Sequence, residues 1–313
     1  MIFDNFNFPL RYEEPIFRPP SEGNSILLQL TIGCSHNLCT YCEMYRTKVY
    51  RVRSQSEIEK DLFRIKKYYE KNSGSVFSKE QPRKIFLCDG DALGAPDSVL
   101  DFCLERIKFY LPWIARVGTY ATATNILEKS EEVLKRLKVN GLEIVYLGLE
   151  TGSDNLLKKV VKDVGAQDML NASLRIKNTG IKLSTIIMIG LGGVDFLEEH
   201  ALATAELISK TKPEFLSFLV TRPISGSPYY KMMEKGLIKQ VSEFQCFDQM
   251  ELIIKNINLP HENKIIFRAN HVSNFLPIGG ILGKEKSSIL EVIQTAKRNA
   301  TQSPLSLNFN GPM

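Results

Sequence analysis

Residues 25–42 read SILLQLTIGCSHNLCTYC, a short apolar run followed by a loop with three cysteines. Cys34, Cys39 and Cys42 have C-x4-C-x2-C spacing within nine residues. Three thiols this close together on a loop are poor core residues and good metal ligands. They are one ligand short of a closed zinc site or an ordinary iron–sulfur cluster. The stretch predicts a buried strand that leads into a metal site with one open position.

Outward from this stretch, apolar strand-like segments alternate with helix-like segments. One helix is expected to begin at Ser54, where Glu57 completes a capping box, and another to end at Gly180. Continuous apolar strands that alternate with helices are typical of a parallel sheet covered by helices. The six predicted strands are Ser25–Thr31, Lys84–Cys88, Ala115–Ala121, Leu142–Leu149, Ile181–Ile189 and Phe215–Val220.

The predicted fold class is α/β, a partial (β/α)6 barrel of parallel strands with a helical and loop C-terminal extension. Six units do not complete an eightfold barrel, and a doubly wound sheet is the alternative. The expected division is an N-terminal arm over residues 1–24, the barrel over 25–236 and an extension packed on it over 237–313.

Polar and glycine-rich turns follow several of the predicted strands. They are Asp89-Gly90-Asp91 after the second, Glu150-Thr151-Gly152 after the fourth and Gly190-Leu191-Gly192-Gly193 after the fifth. Because the carboxyl ends of parallel strands meet at one rim, these turns and the cysteine loop are expected to form a single site.

Composition restricts the function classes. The 313 residues are 43% hydrophobic and 24% charged, with a net charge of +5 spread along amphipathic helices, which does not indicate a nucleic-acid partner. No apolar run approaches the roughly 20 residues that span a bilayer, and the N-terminus does not resemble a signal peptide. Six cysteines in such a chain do not suggest a disulfide framework. We expect a cytoplasmic protein without a membrane partner, as a monomer or weak dimer.

Four kinds of site could use the cysteine loop. Zinc could add His36 to the three thiols, but no second pair of ligands is visible. A [2Fe–2S] centre could add Cys88, yet the chain is far larger than a ferredoxin. A redox pair of Cys39 and Cys42 leaves the third cysteine unexplained. A [4Fe–4S] cluster held by three cysteines leaves one iron open to a small molecule.

On this fourth alternative the chain resembles the radical SAM superfamily. The usual loop of that superfamily is C-x3-C-x2-C with an aromatic residue before the last cysteine, the position that Tyr41 has here. The first spacing is one residue longer in this chain. The segments RPPSE, GCSHNLCTYC, DGDAL and NHVSNFLP resemble a compact branch with an Elp3/MiaB/coproporphyrinogen-oxidase-like core, whose substrate is not established. The resemblance covers roughly residues 11–295.

The resemblance implies a [4Fe–4S] cluster on Cys34, Cys39 and Cys42 and S-adenosylmethionine (SAM) on its open iron. Segment DGD resembles the family's Gly-Gly-Glu turn, YLGLETGSD its fourth-strand motif, and IGLGG the segment along adenine. The residues implied at SAM are Tyr41, Gly90, Asp91, Glu150, Arg175 and Gly190.

The implied function is reductive cleavage of SAM to a 5′-deoxyadenosyl radical, which abstracts hydrogen from an unidentified substrate. An electron donor such as flavodoxin or ferredoxin is implied as a partner. Candidate substrate-pocket residues are Tyr120, Arg222, Asn270 and His271. The alternatives are a coproporphyrinogen-type oxidative decarboxylase and, from another class, a non-catalytic binding protein stabilised by zinc or an iron–sulfur centre.

Overall fold

The chain is described by a computed structural model that covers residues 9–72, 82–260 and 262–305. Its strands are β1 Ile26–Gln29, β2 Thr31–Ile32, β3 Arg51–Val52, β4 Lys84–Cys88, β5 Arg116–Ala121, β6 Leu142–Glu150, β7 Lys182–Ile189, β8 Phe215–Val220, β9 Ile265–Ala269 and β10 Ile278–Leu282. Its helices are α1 Gln55–Asn72, α2 Asp97–Tyr110, α3 Ala123–Glu128, α4 Glu131–Val139, α5 Asp154–Lys159, α6 Ala166–Asn178, α7 Leu197–Thr211, α8 Pro228–Glu234, α9 Glu243–Asn256 and α10 Lys286–Asn299.

Within the described residues, eight strands form one sheet in the order β1-β4-β5-β6-β7-β8-β9-β10. Neighbouring strands from β1 through β9 pair in parallel, with helices between most of them. The α/β partial barrel predicted from the sequence is confirmed. The predicted helix start and helix end are also confirmed. Ser54 and Glu57 form the capping box before α1, and Gly180 has φ +76° just after α6.

The part of the chain after residue 236 differs from the prediction of helix and loop alone. Strand β9 adds a further parallel strand beside β8, and β10 pairs with β9 in the antiparallel direction. The segment between them therefore follows the carboxyl end of β9, on the same rim as the other strand ends. The expected domain division at residues 236 and 237 stays a prediction.

The two faces of the sheet bury different side chains. Ile26, Leu28 and their counterparts on other strands pack under the helices in the main core. Leu27, Phe86, Cys88, Ile144 and Tyr146 alternate with them and form the opposite, inner face of the barrel.

The N-terminal arm covers part of this inner face. Tyr12 and Ile16 pack against the inner-face side chains, and the Tyr12 hydroxyl donates to the Leu27 carbonyl at 3.0 Å. Glu22 is fully buried near the amino end of β5, where Arg116 and the Tyr146 hydroxyl donate to its carboxylate. The arm is thus held at two points, by Leu27 of β1 and by Arg116 and Tyr146. Across the described ranges, no helix is both long and apolar enough to cross a bilayer.

Candidate functional site

The cysteine loop, residues 33–45, follows β2 and is tied to the segment after α5. Thr40 N donates to the Val160 carbonyl at 2.9 Å, and His36 Nε2 lies 2.8 Å from the Val161 carbonyl. Asn37 has φ +46°, and its side-chain amide donates to the Tyr45 carbonyl at 2.9 Å. The longer first spacing thus forms a turn that reaches across to α5. His36, the fourth ligand of the zinc alternative, is engaged in this anchoring contact.

Asp89 holds the start of the cysteine loop. Its carboxylate accepts from Gly33 N at 2.7 Å, from Lys48 Nζ at 2.8 Å and from Gln29 Nε2 at 3.2 Å. Asp89 is fully buried and has φ +73°, a conformation that few residues other than glycine adopt. This strained turn at the end of β4 therefore fixes the path of the chain into Cys34.

Gly90 and Asp91 contact the first cysteine and the residue after it. A Cβ on Gly90 would lie 2.5 Å from Cys34 Cβ, so only glycine permits this approach. Asp91 is fully buried and accepts from Ser35 N at 3.2 Å and Asn125 Nδ2 at 3.0 Å, and also from the Ser35 hydroxyl. Asp91 is thus an anchor of the cysteine loop.

Glu150 reaches the other side of the loop. The register between β6 and β7 shifts between Gly148 and Glu150, and Glu150 has φ +62°. Such a bulge redirects a side chain. Lys162 Nζ lies 3.2 Å from Glu150 Oε1, and only 10% and 9% of the two side chains are exposed. A Cβ on Gly148 would lie 2.1 Å from that oxygen, so glycine makes room for the pair.

Tyr41 connects this ion pair to the cysteines. Its hydroxyl is placed to hydrogen-bond with the Glu150 carboxylate and with the Cys39 thiol. Burial opposes the charged form of Lys162, yet the nearby charges of Glu150 and Cys39 give the ammonium a raised pKa. Lys162 therefore stays protonated and brings a buried positive charge to the Cys39 side of the loop.

The three thiols lie in partly buried positions on the loop. Burial raises the pKa of Cys34 to about 12 and that of Cys42 to about 11. Backbone N–H groups oppose this effect by hydrogen-bonding to the sulfurs, those of His36 and Asn37 at Cys34 and that of Met44 at Cys42. Such bonds favour the thiolate form that an iron–sulfur cluster requires.

A site for a single metal ion, such as zinc, requires several ligand side chains to converge on one point. Among the side chains that the structure describes, no three of the types His, Cys, Asp and Glu converge as the ligands of one metal ion. Thiolates that bind separate irons of a cluster do not need that convergence, whereas zinc holds its ligands at about 2.3 Å from one centre. Three thiols on one loop, with backbone N–H donors at two of the sulfurs, are a donor set that fits a cluster.

Gly190 lies at the end of β7 on the same rim. It has φ +77°, and its N–H donates to the Gln249 side chain at 2.7 Å. The Gly190 carbonyl lies 3.5 Å from the Tyr229 hydroxyl, and Tyr229 N donates to the Thr40 carbonyl at 3.0 Å. This turn is thus linked through α8 to the cysteine loop.

Arg175 has contacts that differ from its expected role. One terminal nitrogen of its guanidinium donates to the carbonyls of Leu127 and Lys129, both at 2.8 Å. The side chain lines a shallow depression of about 440 Å³ with residues 127–132. These contacts hold the end of α3, and the assignment of Arg175 to SAM stays a prediction that they do not support.

Tyr120 packs against the inner-face side chains near the carboxyl end of β5. Its ring makes edge contacts with Phe86 and Tyr146, at centroid distances of 4.9 and 6.1 Å. Cys88 packs in the same cluster and is fully buried. The structure thus places Tyr120 in an aromatic lining that also contains the cysteine proposed for the [2Fe–2S] alternative.

Two of the other substrate-pocket candidates, Arg222 and His271, brace the segment between β9 and β10. Arg222 Nε and Nη2 donate to the Ser273 carbonyl at 3.0 and 2.9 Å, and its guanidinium lies 4.4 Å from the Phe275 ring centroid. His271 Nδ1 is 2.9 Å from the Ser273 hydroxyl. Asn270 is exposed. A substrate role for these three residues stays a prediction.

Several residues of the site were missed by sequence reasoning. Asp89, Lys48 and Lys162 carry the buried charges around the loop, and Tyr45, the last residue of the loop, is buried. Asp89 belonged to the DGD turn that was singled out, so position alone could have found it. Isolated lysines are usually solvated, and no local pattern marks the two that are buried here.

The comparisons with known proteins agree with this geometry. The sequence profile of the radical SAM superfamily matches residues 28–208, more than half of the chain. The heme chaperone HemW of Bacillus subtilis is 23% identical over 72% of this chain and 57% of its own length. A putative methylthiotransferase of Methanocaldococcus jannaschii is 23% identical over 72% of this chain and 52% of its own length. The chain therefore spans about half the length of the curated relatives it matches.

Solved structures support the fold. Elp3 of Methanocaldococcus infernus, without its N-terminus, has a TM-score of 0.52 at 15% identity, over 79% of this chain and 61% of that one. The chain belongs to the radical SAM superfamily of enzymes, whose cofactors are a [4Fe–4S] cluster and SAM.

Proposed function

We propose that this protein is a radical SAM enzyme in which Cys34, Cys39 and Cys42 hold a [4Fe–4S] cluster. The observation that carries the proposal is the anchoring of the three-thiol loop between strand ends. Asp91 holds it on one side and the Glu150–Lys162 pair flanks it on the other. When bound and reduced, the cluster supplies the electron that cleaves SAM to methionine and a 5′-deoxyadenosyl radical.

The chain's own residues orient the reactants. Asp89 and Asp91 fix the backbone on either side of Cys34 by accepting hydrogen bonds from Gly33 N and Ser35 N. Gly90 makes room for Cys34 beside the end of β4, and Gly190 forms the turn at the end of β7.

The charges suggest how SAM is held. SAM presents an ammonium and a carboxylate, and an ion pair of opposite charges beside Cys39 suits both groups. Glu150 is the proposed partner of the ammonium, and Lys162 is a better-placed partner of the carboxylate than Arg175. Tyr41 would keep the Glu150 carboxylate oriented toward the loop.

The reaction class is hydrogen abstraction from a small organic substrate, with an external one-electron donor such as flavodoxin or ferredoxin. The match to a heme chaperone makes the coproporphyrinogen-type alternative relevant. The substrate of such an enzyme is a macrocycle, which needs a large open space. Tyr12 and Ile16 of the N-terminal arm cover part of the inner face, which favours a smaller substrate.

Anaerobic reconstitution with iron and sulfide tests the proposal. We expect about four irons and four sulfides per chain, and formation of 5′-deoxyadenosine from SAM under dithionite. A matched control is Cys103→Ala, because Cys103 is buried in α2 away from the loop. A colourless protein that binds zinc and does not cleave SAM would support the non-catalytic alternative and contradict the proposal.

A further inference from the structure

The turn that ends α5 contains a strained residue that the proposed cluster and SAM contacts do not explain. Val161 has φ +57°, and 43% of it is exposed, so core packing does not impose this conformation. A β-branched residue in the left-handed region is a rare outlier, because its side chain crowds the backbone. Such strain persists only where the surrounding structure holds it, and it is concentrated at functional sites.

The hydrogen bonds of this turn are those of a Schellman motif. Val161 N donates to the Lys158 carbonyl at 3.2 Å, and Lys162 N donates to the Leu157 carbonyl at 2.9 Å. This motif satisfies the last carbonyls of a helix, and the residue at its left-handed position is usually a glycine. A valine is disfavoured at that position, so contacts from outside the turn must contribute to its stability.

The cysteine loop makes two contacts with this turn. His36 Nε2 donates to the Val161 carbonyl at 2.8 Å, since a carbonyl oxygen can only accept. Thr40 N donates to the preceding carbonyl, that of Val160, at 2.9 Å. Cys39 lies in sequence between these two contacts, so its part of the loop runs along the strained turn.

The longer first cysteine spacing contains the residue that makes the first contact. His36 is one of four residues between Cys34 and Cys39, where the usual loop has three. The chain turns at the next residue, Asn37, which has φ +46° and donates from its side chain to the Tyr45 carbonyl. The imidazole is thus presented to α5 by a turn within the lengthened part of the loop.

The direction of Lys162 depends on the strained turn. Its ammonium lies 3.2 Å from Glu150 Oε1, and only 10% of the side chain is exposed. A Cβ on Gly148 would lie 3.5 Å from the ammonium nitrogen, which places that nitrogen beside the end of β6. Because Val161 immediately precedes Lys162, a change of its φ to a negative value would change the direction in which the backbone presents this lysine.

We propose that His36 is a positioning residue for SAM, because its hydrogen bond to the Val161 carbonyl holds the strained turn that keeps the Lys162 ammonium beside Glu150. The inference rests on the proposed function, in which Lys162 is the partner of the SAM carboxylate. It gives the longer first cysteine spacing a role, since His36 lies within it.

Lysine acetylation followed by mass spectrometry measures the position of Lys162 in the full chain, before and after reconstitution of the cluster. The reagent is sulfosuccinimidyl acetate, and the exposed Lys158 is the internal reference. In the wild type, Lys162 should react at least about tenfold more slowly than Lys158, because it is buried and paired. His36→Leu should raise the Lys162 rate about fivefold, the effect of one lost hydrogen bond, and leave the Lys158 rate unchanged.

Three further variants separate positioning from a general loss of structure. His36→Gln keeps an N–H donor and should restore slow acetylation of Lys162. Val161→Gly removes the strain, because glycine adopts a positive φ freely. In that background, His36→Leu should therefore change the Lys162 rate less than about twofold. His271→Leu is the matched control and should have no effect, since its imidazole contacts Ser273 in the segment after β9.

Equilibrium dialysis with radiolabelled SAM tests the consequence for the cofactor on the anaerobically reconstituted protein. His36→Leu should keep the iron content of the wild type and bind SAM about fivefold more weakly. His36→Gln should bind SAM as the wild type does. A loss of iron in His36→Leu would assign the histidine to the cluster itself and overturn its role in SAM binding.

The remaining outcomes distinguish the two levels of the account. Unchanged acetylation of Lys162 in His36→Leu, or equally faster acetylation of Lys158, would overturn the inference. An unchanged SAM affinity in a variant whose Lys162 has become reactive would do the same and leave the proposed function intact. A reconstituted wild type that holds no cluster contradicts the proposed function, whatever the acetylation rates are.

Discussion

The cysteine loop and the segment after β9, residues 270–277, lie on the same rim of the barrel and use polar groups in opposite ways. In the second segment the donors are engaged with backbone oxygens, as when Arg222 holds the Ser273 carbonyl and Asn274 holds that of Phe218. In the cysteine loop three thiols are free, and Tyr45 has a buried hydroxyl without a partner. The second segment is thus held by hydrogen bonds from its neighbours, whereas the cysteine loop leaves its thiols available to a ligand.

This contrast gives each region a different expected response to mutation. A residue whose side chain only holds a neighbouring segment contributes to the free energy of unfolding and not to cofactor content. A ligand residue affects cofactor content and contributes little to the stability of the apoprotein. The charged groups around the cysteine loop lie between these limits, because Lys162 and Glu150 stabilise each other and also flank Cys39.

The largest expected effect is that of Cys42→Ala. The variant should lose the cluster completely after anaerobic reconstitution, because two thiolates cannot hold the irons that three hold. Iron and sulfide analysis checks this, with Cys103→Ala as the control that keeps both. Full iron content in Cys42→Ala would mean that the ligand set is wrong.

Lys162→Met should lower the free energy of unfolding by about 3 kcal/mol, because it leaves the buried Glu150 carboxylate without its partner. Lys138→Met is the control, since the Lys138–Glu143 pair has 27% and 31% of its side chains exposed and should contribute less than about 1 kcal/mol. Urea denaturation of the apoproteins measures both. The double variant Lys162→Met/Glu150→Gln should regain part of the loss. A loss no larger than in the control would contradict the buried pair.

His200 is a buried side chain that should make the free energy of unfolding depend on pH. It is fully buried, Nε2 donates to the Met188 carbonyl at 3.1 Å, and Nδ1 lies 2.6 Å from the Thr151 hydroxyl. Burial lowers its pKa from 6.5 to about 4. Above pH 6.5 both states are neutral, and below it only the unfolded state gains the proton.

Stability should therefore fall as the pH decreases from about 6.5 to about 4, by up to roughly 3 kcal/mol from this residue. Denaturant titrations at several pH values check the effect, and His200→Gln should show a correspondingly weaker slope in that range. Equal slopes for the variant and the wild type would show that His200 is not the group responsible.

The smallest expected effect is that of Arg222→Met, which removes two hydrogen bonds to the Ser273 carbonyl and the contact with Phe275. We expect a loss of about 2 kcal/mol in unfolding free energy and an unchanged iron content after reconstitution. A variant that is as stable as the wild type but loses the cluster would reverse the roles assigned to the two regions.

The fold was predictable where the signal is local. The six strands of the barrel are apolar runs of β-branched and large residues, and their bounds agree with the structure within a few residues. Strands β9 and β10 were missed for physical reasons. Residues 265–269 form a short run after the alternation with helices has ended, and Gly279 and Gly280 lower the strand propensity of β10.

The candidate site was predictable as far as spacing and strand order determine it. The cysteines and the turns at Asp91, Glu150 and Gly190 were expected on one rim, and the structure brings their segments together. Long side chains were not predictable, because their position in sequence does not fix their reach. Arg175 turns to backbone carbonyls near α3, while Lys162 turns inward to Glu150.

The central claim is that three thiols of the cysteine loop leave one iron open for SAM. The electron paramagnetic resonance spectrum of the reduced, reconstituted protein tests this directly, recorded with and without SAM. Coordination of SAM to the open iron should change the g values of the reduced cluster. A spectrum that is identical with saturating SAM would contradict the claim.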